Sequence, residues 1–382
     1  MIILEAPYTA PEQLAWLEKS KHPVLDNAWA RSFADGYKLN LVSEGECVRA
    51  LNASEPLYTN SENALGWVRK HVSHEGLLAA IDVCKDKALL REKLSPLYPN
   101  FEYRCVSEAE LFATNASSLN YPVVIKPNVG FCSLGVYVLE SEEDFYAACK
   151  DIKASKERWL SLYPESVLEP SDFIIESYIT GVEYALDMYF DADGKPCIVN
   201  ILRHDFLNEQ DTSDRLYYCG ISLVRELKER FEQWLLDVNS LLKIRNFAIH
   251  IELRYDGKSI CPIEFNPARF AGLGGTEVSY YGFGFVSYEM FLKSTTPNWE
   301  ELAKRHEGML YAMSLMPAPS DIPAQARFNL EAFSTHVDKI LGAHVFDHTK
   351  VGSLAFIFSA LPEDDTSQRE FILSADMHDF II

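Results

Sequence analysis

Short apolar runs alternate with helical periods over the first 84 residues. Residues 2–4, 23–25 and 38–42 read as strands, and residues 11–20 and 61–71 as helices. Such alternation builds a small parallel α/β sheet. No G-x-G-x-x-G turn occurs there, so no dinucleotide site is expected. Beyond residue 85 the pattern changes. A helix over 86–94 precedes strands near 101–105, 121–126 and 136–139. Ser141, followed by Glu142, Glu143 and Asp144, opens a helix with acidic groups at its positive end. Residues 173–176 form a strand, and 182–190 and 196–202 a hairpin around Asp193-Gly194. A long helix covers 222–242. Two more strands, 246–255 and 260–266, flank the turn Asp256-Gly257-Lys258. The pattern is strand-rich again after residue 330, clearest over 352–358, and suggests a small appended subdomain.

A chain of 382 residues exceeds one simple core, so two or three subdomains are expected. The net charge of −21 opposes sequence-independent nucleic-acid binding, which depends on Lys and Arg neutralising phosphates. No apolar run reaches the length of a membrane span. The start, Met1-Ile2-Ile3-Leu4-Glu5, lacks a basic region and reads as a strand, not a signal peptide. Eight scattered cysteines without a C-x-x-C pair fit reduced thiols in a cytoplasmic protein.

Candidate chemistry is densest at Ile263-Glu264-Phe265-Asn266-Pro267-Ala268-Arg269. Period-2 alternation places Glu264 and Asn266 on one strand face. The preceding strand carries His250 and Glu252, and a hairpin sets Glu252 beside them. Two carboxylates and an amide oxygen are hard ligands suited to Mg²⁺, and Arg269 suits a phosphoryl oxygen. Read alone, E-x-N also describes an ordinary solvated strand face. Upstream, Lys126 ends an apolar strand and is followed by a loop with Gly130, Ser133 and Gly135. That arrangement suits phosphate, with backbone N–H groups close to its oxygens. It equally describes a hairpin with an exposed Lys. Further on, Glu176-Ser177-Tyr178-Ile179 connects two strands. An adenine ring fits against this connector, bonded to backbone groups at Ser177–Ile179, and Glu183 suits ribose hydroxyls. The plainer reading is a surface hairpin with solvated glutamates.

This order of motifs resembles the ATP-grasp superfamily, over roughly residues 80–275 with a compatible α/β region before it. The resemblance implies an α/β and α+β architecture. It consists of a Rossmann-like pre-ATP-grasp domain (1–84), a central lid subdomain (85–179) and a C-terminal metal- and phosphate-binding subdomain (180–330), before the appended 331–382. It implies that Lys87, Lys126, Ser133, Gly135, Glu176, Ser177, Tyr178, Ile179 and Glu183 contact ATP. Glu252, Glu264 and Asn266 would hold Mg²⁺ or Mn²⁺, and Arg269 would contact the transferred phosphoryl group. Two departures stand out. Phe131 and Cys132 replace small residues in the loop after Lys126, and Arg269 follows Asn266 by three positions where many members have two.

The implied activity is ATP-dependent carboxylate–amine ligation through an acyl phosphate, with a loose similarity to L-amino-acid ligases. Phosphotransfer of a kinase kind and an inactive ATP-binding regulator are the alternatives. Expected partners are ATP and small carboxylates and amines, amino acids among them, with no nucleic acid, no membrane and a homodimer unsurprising. Arg203 is a candidate for binding the acceptor, or else an ion-pair partner of Asp205. Gly274 and Gly275 belong to a Gly-rich stretch that wraps the small substrate or merely connects. His250 is a phosphate contact or a packed histidine.

Overall fold

The structure, a computed structural model, describes residues 1–129, 135–162, 169–208, 211 and 213–382. Four strands, β1 (Ile2–Ile3), β2 (Pro23–Leu25), β3 (Asn40–Val42) and β4 (Tyr58–Thr59), form a parallel sheet of order β3-β2-β1-β4. Ile2, Leu4 and Val24 pack with Leu14 and Leu17 of the helix Pro11–Ser20. The expected helix over 61–71 divides in two. Ser61 caps a tight 3₁₀ turn, Glu62–Ala64, before the helix Leu65–His71 begins. That turn leaves the Glu62 side chain buried.

A second sheet holds β5 (Tyr103–Ser107), β6 (Val123–Val129), β7 (Tyr137–Leu139) and β8 (Glu169–Ser177), antiparallel in the order β5-β8-β6-β7. Strand β5 runs two residues later than expected. Ser107 ends it by entering a capping box with Glu110, which starts the next helix at Glu108. Phe145, Ala148 and Ile152 of the helix Glu142–Leu162 cover Val123, Ile125 and Phe173.

The third sheet is antiparallel and eight-stranded. It contains β9 (Val182–Phe190), β10 (Pro196–Asp205), β11 (Leu216–Gly220), β12 (Phe247–Tyr255), β13 (Ile260–Pro267), β14 (Met309–Pro317), β15 (Ile340–Val345) and β16 (Ser353–Pro362). The order is β13-β12-β9-β10-β11-β14-β16-β15. The segment after residue 330 is therefore not an appended unit, because β16 pairs with β14 along its length. Leu354, Ala355 and Ile357 bury one face of β16, and Phe358 and Ala360 the other. A strand apolar on both faces needs cover on both, and only a place inside a larger sheet supplies it.

Alternation sorts the residues of this sheet. Leu186, Met188, Ile249, Ile251 and Leu253 pack under Leu227, Phe231 and Leu235 of the helix Ile221–Leu242. Their neighbours Glu183, Asp187, His250, Glu252 and Arg254 therefore emerge on the opposite face, which forms the floor of the cleft. No described helix is long and apolar enough to cross a membrane.

Candidate active site

Strand register sets charged residues in rows across the floor. In the first row, Glu183 lies opposite both His204 and Arg254. Its carboxylate meets His204 Nδ1 at 2.9 Å and accepts from Arg254 Nε at 3.1 Å. Burial raises the carboxyl of Glu183, but these two partners outweigh it and hold it below the usual range. In the second row Glu252 faces Glu264 directly. In the third, His250 stands between Asp187 and Asn266. A bulge after Glu252 leaves Ile263 unpaired in the ladder, between Glu264 and Pro262.

Glu252, Glu264 and Asn266, expected as metal ligands, are brought together. The Asn266 amide nitrogen donates to Glu264 Oε1 at 3.2 Å, which leaves its carbonyl oxygen as the ligand-type atom. Lys87 Nζ lies 3.1 Å from Glu264 Oε2. Burial raises Glu264, but Lys87, Lys126 and Lys85 overcome it and hold the carboxyl at about 2. Burial and the facing Glu264 push Glu252 well above the carboxylate range. Two half-buried carboxylates that face each other across a strand pair relieve their repulsion with a proton or a cation, so this hard-oxygen set fits Mg²⁺ or Mn²⁺.

The two lysines are placed by one tie. Asp86 caps the helix Lys87–Leu94 through Leu89 N–H at 2.9 Å. Asn128 of β6 donates to Asp86 at 3.0 Å and accepts from Ala88 N–H at 2.8 Å. Lys87 and Lys126 are thereby fixed relative to each other. Lys126 Nζ lies 2.7 Å from Glu176 and donates to Ile263 O at 3.3 Å. Glu176 also meets Arg91 Nε at 2.8 Å, and all three side chains are buried. Burial raises Glu176, but Lys126 and Arg91 hold it at about 2. Glu176, expected as an adenine-hinge contact, thus spends its carboxylate on anchoring Lys126.

Two chambers open from these residues. The outer one, about 140 Å³, lies between the second and third sheets. Val124, Val136 and Val138 form one wall, Ser177, Tyr178 and Ile179 the hinge, and Glu183, His204 and Phe206 the far end. This is a slot with apolar walls and a carboxylate at its end. The Ile179 carbonyl accepts from Arg254 at 2.8 Å, and the Arg254 guanidinium lies 5.0 Å from the Tyr178 ring centre. Gly135 turns into β7 with φ 70°. Ser133, expected at the phosphate loop with Gly130, lies outside the described residues.

The inner chamber, about 100 Å³, shares Asp214, Glu252 and Glu264 with the outer one. Arg269 and His250 line it, with Leu202, Leu273, Met313 and Leu315. Arg269 is aimed from behind. Ala268 takes φ 59°, its N–H donates to Ala248 O, and its carbonyl accepts from Thr59 N–H at 2.7 Å. Arg269 then reaches Glu62 at 2.8 Å, and Glu62 binds Lys85 at 2.6 Å. The Gly-rich stretch is tethered to Asp187. This fully buried carboxylate accepts from Ala271 N–H at 2.7 Å and Thr276 Oγ1 at 3.0 Å, and meets His250 Nδ1 at 2.8 Å. Gly275 lines the inner chamber, whereas Gly274 turns away with φ 83° beside Tyr8 and Phe356.

Arg203 is not brought to either chamber. It pairs with Asp205 at 2.7 Å and lies opposite Tyr184, which packs on the helix side of the sheet. Alternation gives the cleft face of β10 to His204 instead. Sequence reasoning passed over Glu62, Arg91, Asn128, Asp187 and Asp214. For Asp187 a signal existed: a lone carboxylate inside the apolar run of β9 must be buried and needs partners.

Residues 119–277 match the family model described as an ATP-grasp domain. No curated protein matches the chain in sequence. Among solved structures, the L-amino acid ligase from Bacillus licheniformis is similar at a TM-score of 0.69 and 18% identity, covering 100% of this chain and 97% of that one. Biotin carboxylase from Campylobacter jejuni, in a β-γ-ATP complex, gives 0.63 and 12%, over 100% and 91% of the two chains. N5-carboxyaminoimidazole synthase from Aspergillus clavatus, in complex with ADP and 5-aminoimidazole ribonucleotide, gives 0.61 and 14%, over 97% and 96%. Residues 119–277 thus carry the ATP-grasp domain match, and the chain shares its fold with these solved structures along its whole length.

Proposed function

We propose that this chain is an ATP-dependent carboxylate–amine ligase that works through an acyl phosphate. The observation that carries the reading is the meeting of two chambers at Glu252, Glu264 and Asp214. The outer chamber takes ATP, with adenine along Val136, Val138 and Ile179 and ribose at Glu183. Its phosphates then point toward Lys126 and the carboxylate pair. The inner chamber takes the carboxylate to be activated, beside Arg269.

A carboxylate oxygen forms a bond to the γ-phosphorus, the bond to the bridging oxygen breaks, and ADP leaves. The amine nitrogen then attacks the carbonyl carbon, phosphate leaves, and the nitrogen loses its proton. Bound by Glu252, Glu264 and Asn266, Mg²⁺ or Mn²⁺ would neutralise phosphate charge and favour in-line transfer. Lys87 and Lys126 add fixed positive charge, and Arg269 favours the oxyanions formed during transfer. The second sheet, carrying Val136 and Val138, serves as the lid that keeps water from the acyl phosphate. The L-amino acid ligase and the carboxylating enzymes of similar fold support this class of reaction.

The test is incubation of the whole chain with Mg²⁺-ATP, pools of small carboxylates and amines, and, in parallel, hydroxylamine as a general nucleophile. ADP, phosphate and a condensed product or hydroxamate, all lost in Glu264→Ala, are expected. A phosphorylated acceptor without free phosphate would instead identify a phosphotransferase. Tight ATP binding with no turnover in any pool would identify a regulator.

A further inference from the structure

Resting on the ligase reading, we propose that Asp214 is the general base of the coupling step, taking a proton from the attacking ammonium group and freeing the nitrogen lone pair. An aliphatic ammonium group has a pKa of about 8 to 10, so it arrives protonated at pH 7 and cannot attack a carbonyl carbon in that form. The base must stand where the activated carbonyl meets the nucleophile. Asp214 lines both chambers at their junction.

The other carboxylates around the two chambers have partners or another task. Glu176 anchors Lys126 and Arg91, and Glu183 is held by His204 and Arg254. Asp211 accepts from the N–H groups of Leu207 and Ser213, both at 2.9 Å. Glu264 pairs with Lys87, and Glu252 faces it across the strand pair. His250 is held at Nδ1 by Asp187, its Nε2 lies 3.8 Å from Glu252, and Arg269 is bound to Glu62. Asp214 differs from all of these. It accepts one hydrogen bond, from Tyr217 to Oδ1 at 2.7 Å, and no cationic side chain among the described residues pairs with it. Its other oxygen is left to accept a proton from a ligand.

The base is also held in place. The Tyr217 ring stacks on the His204 ring, with centres 3.9 Å apart and planes 21° from parallel. His204 Nε2 lies 3.1 Å from the carbonyl oxygen of Ser213, the residue before Asp214. One histidine thus sets both the phenol that bonds Asp214 and the backbone that carries it. A group fixed in this way has little freedom left to lose when it acts. In the step, one proton passes from the ammonium nitrogen to Asp214, and the neutral nitrogen bonds the carbonyl carbon of the acyl phosphate. The bond from that carbon to the phosphate oxygen breaks, the leaving phosphate carries off a second proton from nitrogen, and Asp214 returns its own to water.

The experiment takes one carboxylate that yields hydroxamate with the native chain and varies the nucleophile. Hydroxylamine and aminoacetonitrile are weak bases, largely neutral at pH 7, whereas glycinamide and ethylamine are largely protonated. The native chain is expected to couple all four. Asp214→Asn is expected to lose about 100-fold or more in kcat with glycinamide and ethylamine, but less than about tenfold with hydroxylamine and aminoacetonitrile. Its residual rate with ethylamine is expected to rise about tenfold per pH unit, as the free amine does, while the native rate stays nearly level. Tyr217→Phe, the positioning variant, is expected to show the same pattern at smaller size. Calorimetry with a non-hydrolysable ATP analogue shows that each variant is folded.

Equal losses with all four nucleophiles would overturn the proposal, because Asp214 would then serve phosphoryl transfer. A raised KM for ethylamine with kcat and pH dependence unchanged would also overturn it, leaving Asp214 as a cation anchor. So would a native chain that forms hydroxamate yet couples no protonated amine. Each of these three results leaves acyl-phosphate formation standing. Absence of hydroxamate from every carboxylate, with the ATP analogue still bound, would overturn the ligase reading along with the proposal.

Discussion

Glu62 and Arg269 are 207 positions apart in sequence, yet Arg269 Nε donates to Glu62 Oε1 at 2.9 Å and Nη2 lies 2.8 Å from the same oxygen. The other oxygen of Glu62 holds Lys85. A residue of the N-terminal domain thus fixes the direction of the arginine that faces the inner chamber. Glu62→Gln keeps the shape and removes the charge. We expect kcat to fall by about 100-fold, the cost of a misplaced group, with ATP affinity unchanged. Steady-state kinetics beside equilibrium nucleotide binding check this. An equal loss in both would mean that Glu62 serves stability alone.

The carboxylate pair of Glu252 and Glu264 makes a second prediction about the metal. Mg²⁺-ATP should raise Tm by several degrees in the native chain, as mass action requires for a ligand that binds the folded state. Glu252→Gln removes one proposed ligand while relieving the repulsion across the hairpin. Its metal-free Tm should equal or exceed that of the native chain, and the rise with Mg²⁺-ATP should largely vanish. Thermal scans with and without a chelator decide this.

Acid should expose the buried triad of Arg91, Lys126 and Glu176. The Glu176 carboxyl sits at about 2 in the fold against an ordinary value of 4.5. A depressed carboxyl stabilises fully above its unfolded value and loses that contribution as pH falls toward the folded one. The loss therefore spans pH 4.5 to about 2 and amounts to roughly 3 kcal/mol. Glu176→Gln should be less stable at pH 7 and show a shallower decline across that window, as read by denaturant unfolding at stepped pH.

Ribose recognition can be isolated from phosphate recognition. Glu183 is held between His204 and Arg254 at the far end of the outer chamber. The native chain should prefer ATP to 2′-deoxy-ATP by about tenfold, the value of one charge-assisted hydrogen bond. Glu183→Gln should bring the two nucleotides close together. A preference that survives unchanged would place the ribose elsewhere.

Much of the floor was legible because strand alternation is local. Glu252, Glu264 and Asn266 share a face for reasons contained in fifteen residues and one turn. The capped start at Asp86 and the strand end at Lys126 were equally local signals. The inner chamber was not legible, since β11 with the segment before it and β14 bring Asp214, Tyr217, Met313 and Leu315 to it from separate stretches. Nor was the partnership of Glu62 with Arg269, which exists only once the first and third sheets are packed. The misplacement of Arg203 shows how narrow the margin is: one residue along β10 separates the cleft from the helix face. The tail misled for a related reason, because an apolar strand reveals that it needs neighbours but not which ones.

Asp187 has a consequence for how this site can change. Its one side chain clasps Ala271 and Thr276, the two ends of the Gly-rich stretch, and steadies His250 at the same time. The stretch between those ends is fastened to the sheet by its borders and not by its own side chains. Residues 272–275 are thus a segment held at its ends, with Leu273 and Gly275 presented to the chamber and the clasp outside it. Gly274 and Gly275 are fixed by backbone and space, so a library confined to position 273 should recut the lining of the chamber while leaving the clasp and the charged rows of the floor untouched.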